Sequence, residues 1–192
     1  KGGVIKNFKN YIRSKSALRI SEELKEFSKN QIKYIRCQDT NFLTINPKVL
    51  SELSIILQEL QLDIFLYVET RPDGINKNSV KLLKTLNVDG VGMGIELSNE
   101  DFREKNLNRY SSVNQIINAF KLLKNNGIKR TSYNVIGFPD ETEEMIINTI
   151  KLNTELQPDN ITVAFYSPYE GTAQGQISVD KRLFRKGQKD VD

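Results

Sequence analysis

Four polar segments of this 192-residue chain stand where apolar runs stop, and they carry residue types suited to a charged, nucleoside-sized ligand. Gly94-Ile95-Glu96 ends one run, Asn108-Arg109 follows on a short polar stretch, Asn134 to Thr142 ends the next run, and Ser167 to Thr172 ends the one after. A carboxylate that closes an apolar strand needs a donor partner, which favours a functional reading of Glu96. Arg109 can grip a carboxylate through two parallel charge-assisted bonds, or it can be a solvated surface arginine. Asn134 shares a strand face with Ile136, so its amide can bond ribose hydroxyls while Ile136 packs against a base. Phe165 to Thr172 pairs aromatics with Pro168 and Gly171, a turn able to wall off an adenine or to serve as an ordinary barrel loop.

Other candidates have two readings each. Asp39 can accept from a ligand ammonium or hydroxyl, or close an Asx-type turn on its own backbone. Gly90, Gly92 and Gly94 alternate along one strand face, which suits close approach of a flat ligand or another backbone, or tight helix-on-sheet packing. Their spacing is not that of the dinucleotide-binding fingerprint. Asp140, Glu141 and Glu143 stand where a helix should start and complement its macrodipole. Cys37 falls inside a strand and reads as a small buried apolar residue.

Composition narrows the chemistry. The chain has one cysteine and no histidine, which excludes an internal disulfide framework, serine–histidine hydrolysis and His-ligated metal chemistry within it. Its 28 basic and 24 acidic residues are interspersed and leave +4, a mild preference for anions with no basic, aromatic-rich patch for nucleic acid. No apolar run is long enough to span a membrane and the start is not a signal peptide, so a cytoplasmic protein is expected.

The residues above need a scaffold, and apolar and amphipathic stretches alternate from about residue 20 onward as in βα units. Helices are expected at Ser21 to Ser28, from Asn46-Pro47 through Leu60, at Ser79 to Leu86, near Glu100 to Lys105, from Ser112 to Asn126-Gly127 and at Glu143 to Leu156. Strands are expected at Ile32 to Cys37, Ile64 to Glu69, Gly90 to Ile95, Thr131 to Ile136 and Ile161 to Tyr166. Five strands cannot close an eight-stranded barrel. The expected fold is α/β: an open partial (βα) TIM-like barrel with parallel strands and its first strand missing, or a doubly wound sheet. Right-handed crossovers then bring Asp39, Arg71, Glu96, Asn134 and Ser167 to one side, at the C-terminal strand ends. Residues 1–172 form the barrel domain in this reading, and 173–192 a polar tail or linker.

Taken in order, these motifs resemble the radical S-adenosylmethionine superfamily. The resemblance is closest to its anaerobic magnesium-protoporphyrin ester cyclase, methylthiotransferase and oxygen-independent coproporphyrinogen oxidase branch. It runs from Arg13-Ser14 through Glu22-Glu23, Cys37 to Phe42, Thr70 to Asp73, Gly94-Ile95-Glu96, Leu107-Asn108-Arg109 and Gly137 to Thr142, and ends at Pro168 to Thr172. It implies that Arg109 holds the S-adenosylmethionine carboxylate and that Glu96 and Asn134 contact its ribose or methionine portion. It further implies Ile136 beside the adenine, the Ser167 backbone near the adenine edge, and Asp39 at the methionine amino end, where the family more often has Gly-Gly-Glu.

The same resemblance implies a 4Fe-4S cluster on a C-x-x-x-C-x-x-C loop, which this chain lacks. Lys1 to Ile12 would follow that loop, so its cysteines are expected upstream, and Cys37 cannot replace them. The expected function is a fragment, inactive alone, of an enzyme that makes a 5′-deoxyadenosyl radical for oxidoreductive or group-transfer chemistry, tetrapyrrole cyclase-like among the options. A non-radical TIM-barrel lyase or isomerase and a non-catalytic binding scaffold are the alternatives. A small-molecule substrate is expected, with cobalamin and a nucleic-acid substrate left open. An exposed edge at Ile32 to Cys37 suggests self-association.

Overall fold

In the computed structural model, residues 14–169 and 171–183 are described; Lys1 to Arg13 and Glu170, which carry parts of the expected motifs, lie outside them. The helices form where periodic apolar faces meet good caps. Asn46 accepts the Lys48 N–H, and Pro47 opens α2 (Pro47–Leu60), which buries Leu50, Leu53 and Leu57. Ser112 and Gln115 form the expected reciprocal capping box at α5 (Val113–Asn125), whose Ile116, Ala119, Phe120 and Leu123 face the core. Two starts differ from expectation. Helix α1 (Ala17–Lys29) is capped by Ser16, while Ser21 is buried inside it and donates to the Leu18 carbonyl. Helix α3 (Lys77–Thr85) starts earlier because Asn76, not Ser79, is its cap.

Five parallel strands, β1 (Tyr34–Arg36), β2 (Phe65–Thr70), β3 (Val88–Glu96), β4 (Lys129–Ile136) and β5 (Asn160–Phe165), lie in sequential order. That order has no switch point, so the doubly wound alternative is set aside for an open, curled half-barrel. Helices α4 (Glu100–Leu107) and α6 (Glu143–Leu156) complete the set between strands. Val91, Met93 and Ile95 of β3 are fully buried in the main core, with Leu83 of α3 and Leu123 of α5.

Gly90, Gly92 and Gly94 line the opposite, concave side. Their space is taken by the protein's own side chains. A Cβ at Gly90 would lie 2.8 Å from the Tyr67 ring, and one at Gly92 would lie 2.5 Å from Tyr133 and 2.6 Å from the Tyr67 hydroxyl. The edge strand β1 is three residues long, shorter than expected. From Ala173, where a polar tail is expected, the chain instead forms helix α7 (Ala173–Asp180), capped by Thr172 and burying Gly175 and Ser178.

Candidate functional site

The end of β3 is where the chain departs most from regular geometry. Glu96 has φ +63, and the Leu97 N–H donates to the Ile95 carbonyl at 2.9 Å, closing a three-residue turn around Glu96. Pairing with β4 shifts register at this point. A glutamate at positive φ is uncommon, and such strain persists only where the surroundings over-determine it. The turn carries the carboxylate back over Gly94, where a Cβ would meet Oε1 at 2.5 Å. Gly94 therefore serves Glu96 and leaves no slot for a flat ligand at that position.

Arg109 reaches the same carboxylate, with Nη2 3.4 Å from Oε1. One long contact leaves most of the guanidinium and the second carboxylate oxygen for a ligand. The Glu96 side chain is 16% exposed and that of Arg109 40%, so the pair opens to solvent on the arginine side. Burial raises the Glu96 carboxyl above its ordinary range, and the cations Arg109 and Arg103 oppose that shift.

Asn134 does not join them. Tyr133 faces the concave side, so strand alternation turns Asn134 and Ile136 toward the helices. The Asn134 amide is 3% exposed and already bonded: Oδ1 accepts from Asn153 of α6 at 2.9 Å, and Nδ2 donates to Ser132 Oγ at 3.2 Å and to the Thr162 carbonyl at 3.3 Å. In this arrangement the Asn134 amide bridges β4, β5 and α6, and Ile136 shares its face. Asp39 is exposed in the loop after β1, and Ser167 is exposed in the loop after β5. Both stand at the C-terminal strand ends with Glu96, while the neighbouring Asn41 accepts from Thr70 at 2.8 Å and fixes the β1 loop to β2. Arg71, after β2, pairs with Asp73 at 3.1 Å.

Glu141 has a role beyond the helix dipole. Its Oε2 accepts the backbone N–H groups of Gly137 and Phe138, closing the turn after β4. Phe138 packs on Phe102 and Tyr166, ring centroids 5.8 and 5.0 Å apart, and with Leu97 forms a second apolar cluster under the mouth. Cys37 is partly buried, and burial pushes its thiol up to about 11, which suits an inert packing residue.

Two groups escaped the sequence reading. Arg103 of α4 is 1% exposed, and its guanidinium donates to the carbonyls of Leu97 at 2.6 Å and Ser111 at 2.5 Å. On the concave side, the Tyr67 and Tyr133 hydroxyls meet at 2.8 Å, Tyr133 reaches Glu69 at 3.2 Å, and Arg36 pairs with Glu69 while lying over the Tyr67 ring. Burial and the Tyr67 hydroxyl push the Tyr133 phenol upward, so it stays a neutral donor. Only the glycine spacing hinted at this layer.

The parallel half-barrel thus brings an opposed carboxylate and guanidinium to its C-terminal end, where α/β barrels assemble their sites. The family follows from direct comparison: the Radical SAM superfamily model matches residues 4–152, and the chain belongs to that superfamily, whose enzymes bind S-adenosylmethionine and a 4Fe-4S cluster. It is similar to an uncharacterized methyltransferase of Pyrococcus horikoshii, 29% identical over 89% of this chain and 37% of that protein. It is also similar to a probable threonylcarbamoyladenosine tRNA methylthiotransferase of Methanocaldococcus jannaschii, 30% identical over 58% of this chain and 27% of that protein. Among solved structures it shares the fold of the radical S-adenosylmethionine methyltransferase TsrM from Kitasatospora setae, determined with cobalamin and a 4Fe-4S cluster bound. That match has TM-score 0.76 and 17% identity, covering 88% of this chain and 32% of that one. The chain thus spans roughly a third of these relatives' length.

The residues fit the two groups unequally. Glu96 and Arg109 offer opposite charges for an amino-acid end and are not saturated by each other. The single cysteine does not fit a 4Fe-4S cluster, and no group of three metal-ligating side chains occurs among the described residues. No helix among them is long and apolar enough to cross a membrane.

Proposed function

We propose that this chain is the S-adenosylmethionine-orienting part of a group-transfer enzyme, of methyl or methylthio type, with the cofactor's amino-acid end at Glu96 and Arg109. The single observation that carries the reading is that pair: a strained, partly buried carboxylate at a strand end with a half-exposed guanidinium 3.4 Å away. When bound, S-adenosylmethionine supplies activated carbon next to a sulfonium. The protein's part is to hold it in place and exclude water.

Arg109 donates to the ligand carboxylate, a charge-assisted contact suited to its fork of N–H groups. Ionised Glu96 accepts from the ligand ammonium or a ribose hydroxyl, and the low-dielectric surroundings that raise its pKa also strengthen that contact. Asp39 and Ser167, in loops at the same end of the sheet, flank the slot. The chain's single cysteine offers no ligand set for the cluster that would reduce the cofactor. The relatives of methyltransferase and methylthiotransferase type favour group transfer over oxidoreduction. The substrate is a small molecule or a nucleoside within RNA, and cobalamin accompanies it if the chemistry follows that of TsrM.

Isothermal titration of the chain with S-adenosylmethionine tests the reading. Binding that weakens at least about tenfold in both Glu96→Gln and Arg109→Ala, the worth of a charged hydrogen bond, supports it. Binding by the wild type that neither substitution alters would overturn it.

A further inference from the structure

Glu96 ends β3 at the edge of the β3–α4 loop, Arg109 lies in the loop after α4, and one residue touches both loops. Arg103 stands in the middle of α4, between them. Its side chain reaches back to the β3–α4 loop, with Nη1 donating to the carbonyl of Leu97, the residue after Glu96, at 2.6 Å and to that of Ser98 at 3.4 Å. It also reaches forward, with Nη2 donating to the carbonyl of Ser111, two residues after Arg109, at 2.5 Å. Its backbone carbonyl accepts the Asn108 N–H that ends α4 in a left-handed cap, and the Arg109 N–H at 3.0 Å. Five contacts from one residue therefore bracket the two loops that set the pair.

The electrostatics point the same way. Arg103 is 1% exposed and has no carboxylate in hydrogen-bond contact, so a whole positive charge is buried against neutral carbonyls. Its Nε–H is buried with no partner among the described residues. A buried cation held only by carbonyl dipoles is costly, and a pure brace could be made from uncharged groups. The nearest carboxylates acting on it are Glu100, already bonded to the Val113 N–H, and Glu96. The charged groups acting on Glu96 are in turn Arg109 and Arg103.

We propose that Arg103 is a positioning residue that fixes the Glu96–Arg109 pair for its ligand and sets a buried positive charge next to Glu96. The proposal rests on the S-adenosylmethionine reading of that pair. Lysine would keep the charge but has no planar fork to span the Leu97 and Ser111 carbonyls. Methionine would fill the space and remove both functions.

The experiment compares the wild-type chain with Arg103→Met and Arg103→Lys. The Glu96 carboxyl is titrated by carbon-13 NMR without ligand, and S-adenosylmethionine affinity is measured by calorimetry at pH 7.5. In Arg103→Met, Glu96 should titrate at higher pH than in wild type and affinity should fall about tenfold or more. Arg103→Lys should restore the wild-type Glu96 midpoint while affinity stays reduced. A Glu96 midpoint indifferent to Arg103→Met overturns the charge role, and unchanged affinity in both variants overturns the positioning role. If neither variant folds, Arg103 is a folding residue and the proposal fails. A wild-type chain that binds no S-adenosylmethionine defeats the ligand reading, while the NMR midpoints still decide whether Arg103 governs Glu96.

Discussion

Adding one methyl group at Gly92 should disrupt the whole concave layer. The new Cβ would fall 2.5 Å from a Tyr133 ring carbon, 2.6 Å from the Tyr67 hydroxyl and 2.9 Å from the Tyr133 hydroxyl, all well inside contact distance. Neither ring can withdraw freely, because Tyr67 also lies on Gly90 and under Arg36, and Tyr133 is tied to Glu69 at 3.2 Å. Overpacking of this kind costs about 1–3 kcal/mol. Breaking the 2.8 Å Tyr67–Tyr133 bond and the Tyr133–Glu69 bond adds about 1 kcal/mol each. Alanine's smaller unfolded-state entropy returns about 0.4–1 kcal/mol. Gly92→Ala should thus lose about 2–5 kcal/mol, which for a chain of this size lowers Tm by roughly 4–20 °C. Calorimetric melting of Gly92→Ala, Tyr133→Ala and the double variant measures this directly. The double variant should recover part of the loss, a coupling of about 1 kcal/mol or more between touching residues. A Tm for Gly92→Ala equal to or above wild type would refute the claim that the glycine column exists to seat the two tyrosines.

Three further outcomes follow from the same geometry. Because burial raises Glu96 in the folded chain, its contribution to stability is full below the ordinary carboxyl range and is lost as pH rises through the raised value. Urea titrations between pH 4 and 7.5 should therefore show wild-type stability falling relative to Glu96→Gln as pH rises, and parallel curves would contradict this. Asn134→Ala should cost about 1–3 kcal/mol, by removing the acceptor of one buried Asn153 N–H, yet leave S-adenosylmethionine affinity unchanged by calorimetry. Loss of affinity without loss of stability would return Asn134 to the ligand. Anaerobic reconstitution of this chain with iron and sulfide should give no stable 4Fe-4S absorption, and a persistent cluster would show that ligands other than a set of cysteines suffice.

Much of the fold is legible because local signals and periodicity agree. Asn46-Pro47 and the Ser112–Gln115 box mark helix starts that the structure keeps, and the five apolar runs become the five strands in order. The start of α1 is not legible in this way, because serine caps a helix wherever one begins and the residue type alone does not fix where. Only packing decides that Ser21 is 0% exposed within the helix. Glu96 and Arg109 are legible by type and position, since a strand-end carboxylate and a nearby arginine carry their charges wherever the loop lies. Asn134 was not, because its role depends on which strand face is concave. That face is set by Tyr133 settling over Gly92, a contact between residues 41 apart in sequence. Arg103 is the least legible, because its partners are backbone carbonyls, which every residue supplies.

Asn134 and Glu96 differ sharply in how far their surroundings satisfy them. Both are polar residues toward the ends of neighbouring strands, yet Asn134 satisfies its amide with regular geometry and full burial. Glu96 instead takes a left-handed backbone, is held above its ordinary pKa by burial, and meets only one long ion pair. Arg103 beside it is buried with an unpaired N–H. Each feature alone is destabilising, and sequences retain such violations where something other than stability fixes the arrangement. A ligand bringing its own cation and anion would relieve both at once: its ammonium would stabilise ionised Glu96, and its carboxylate would occupy the free edge of Arg109. On the proposed reading, a zwitterionic cofactor answers the open charges of Glu96 and Arg109 together, which a lone anion or a neutral sugar would not do.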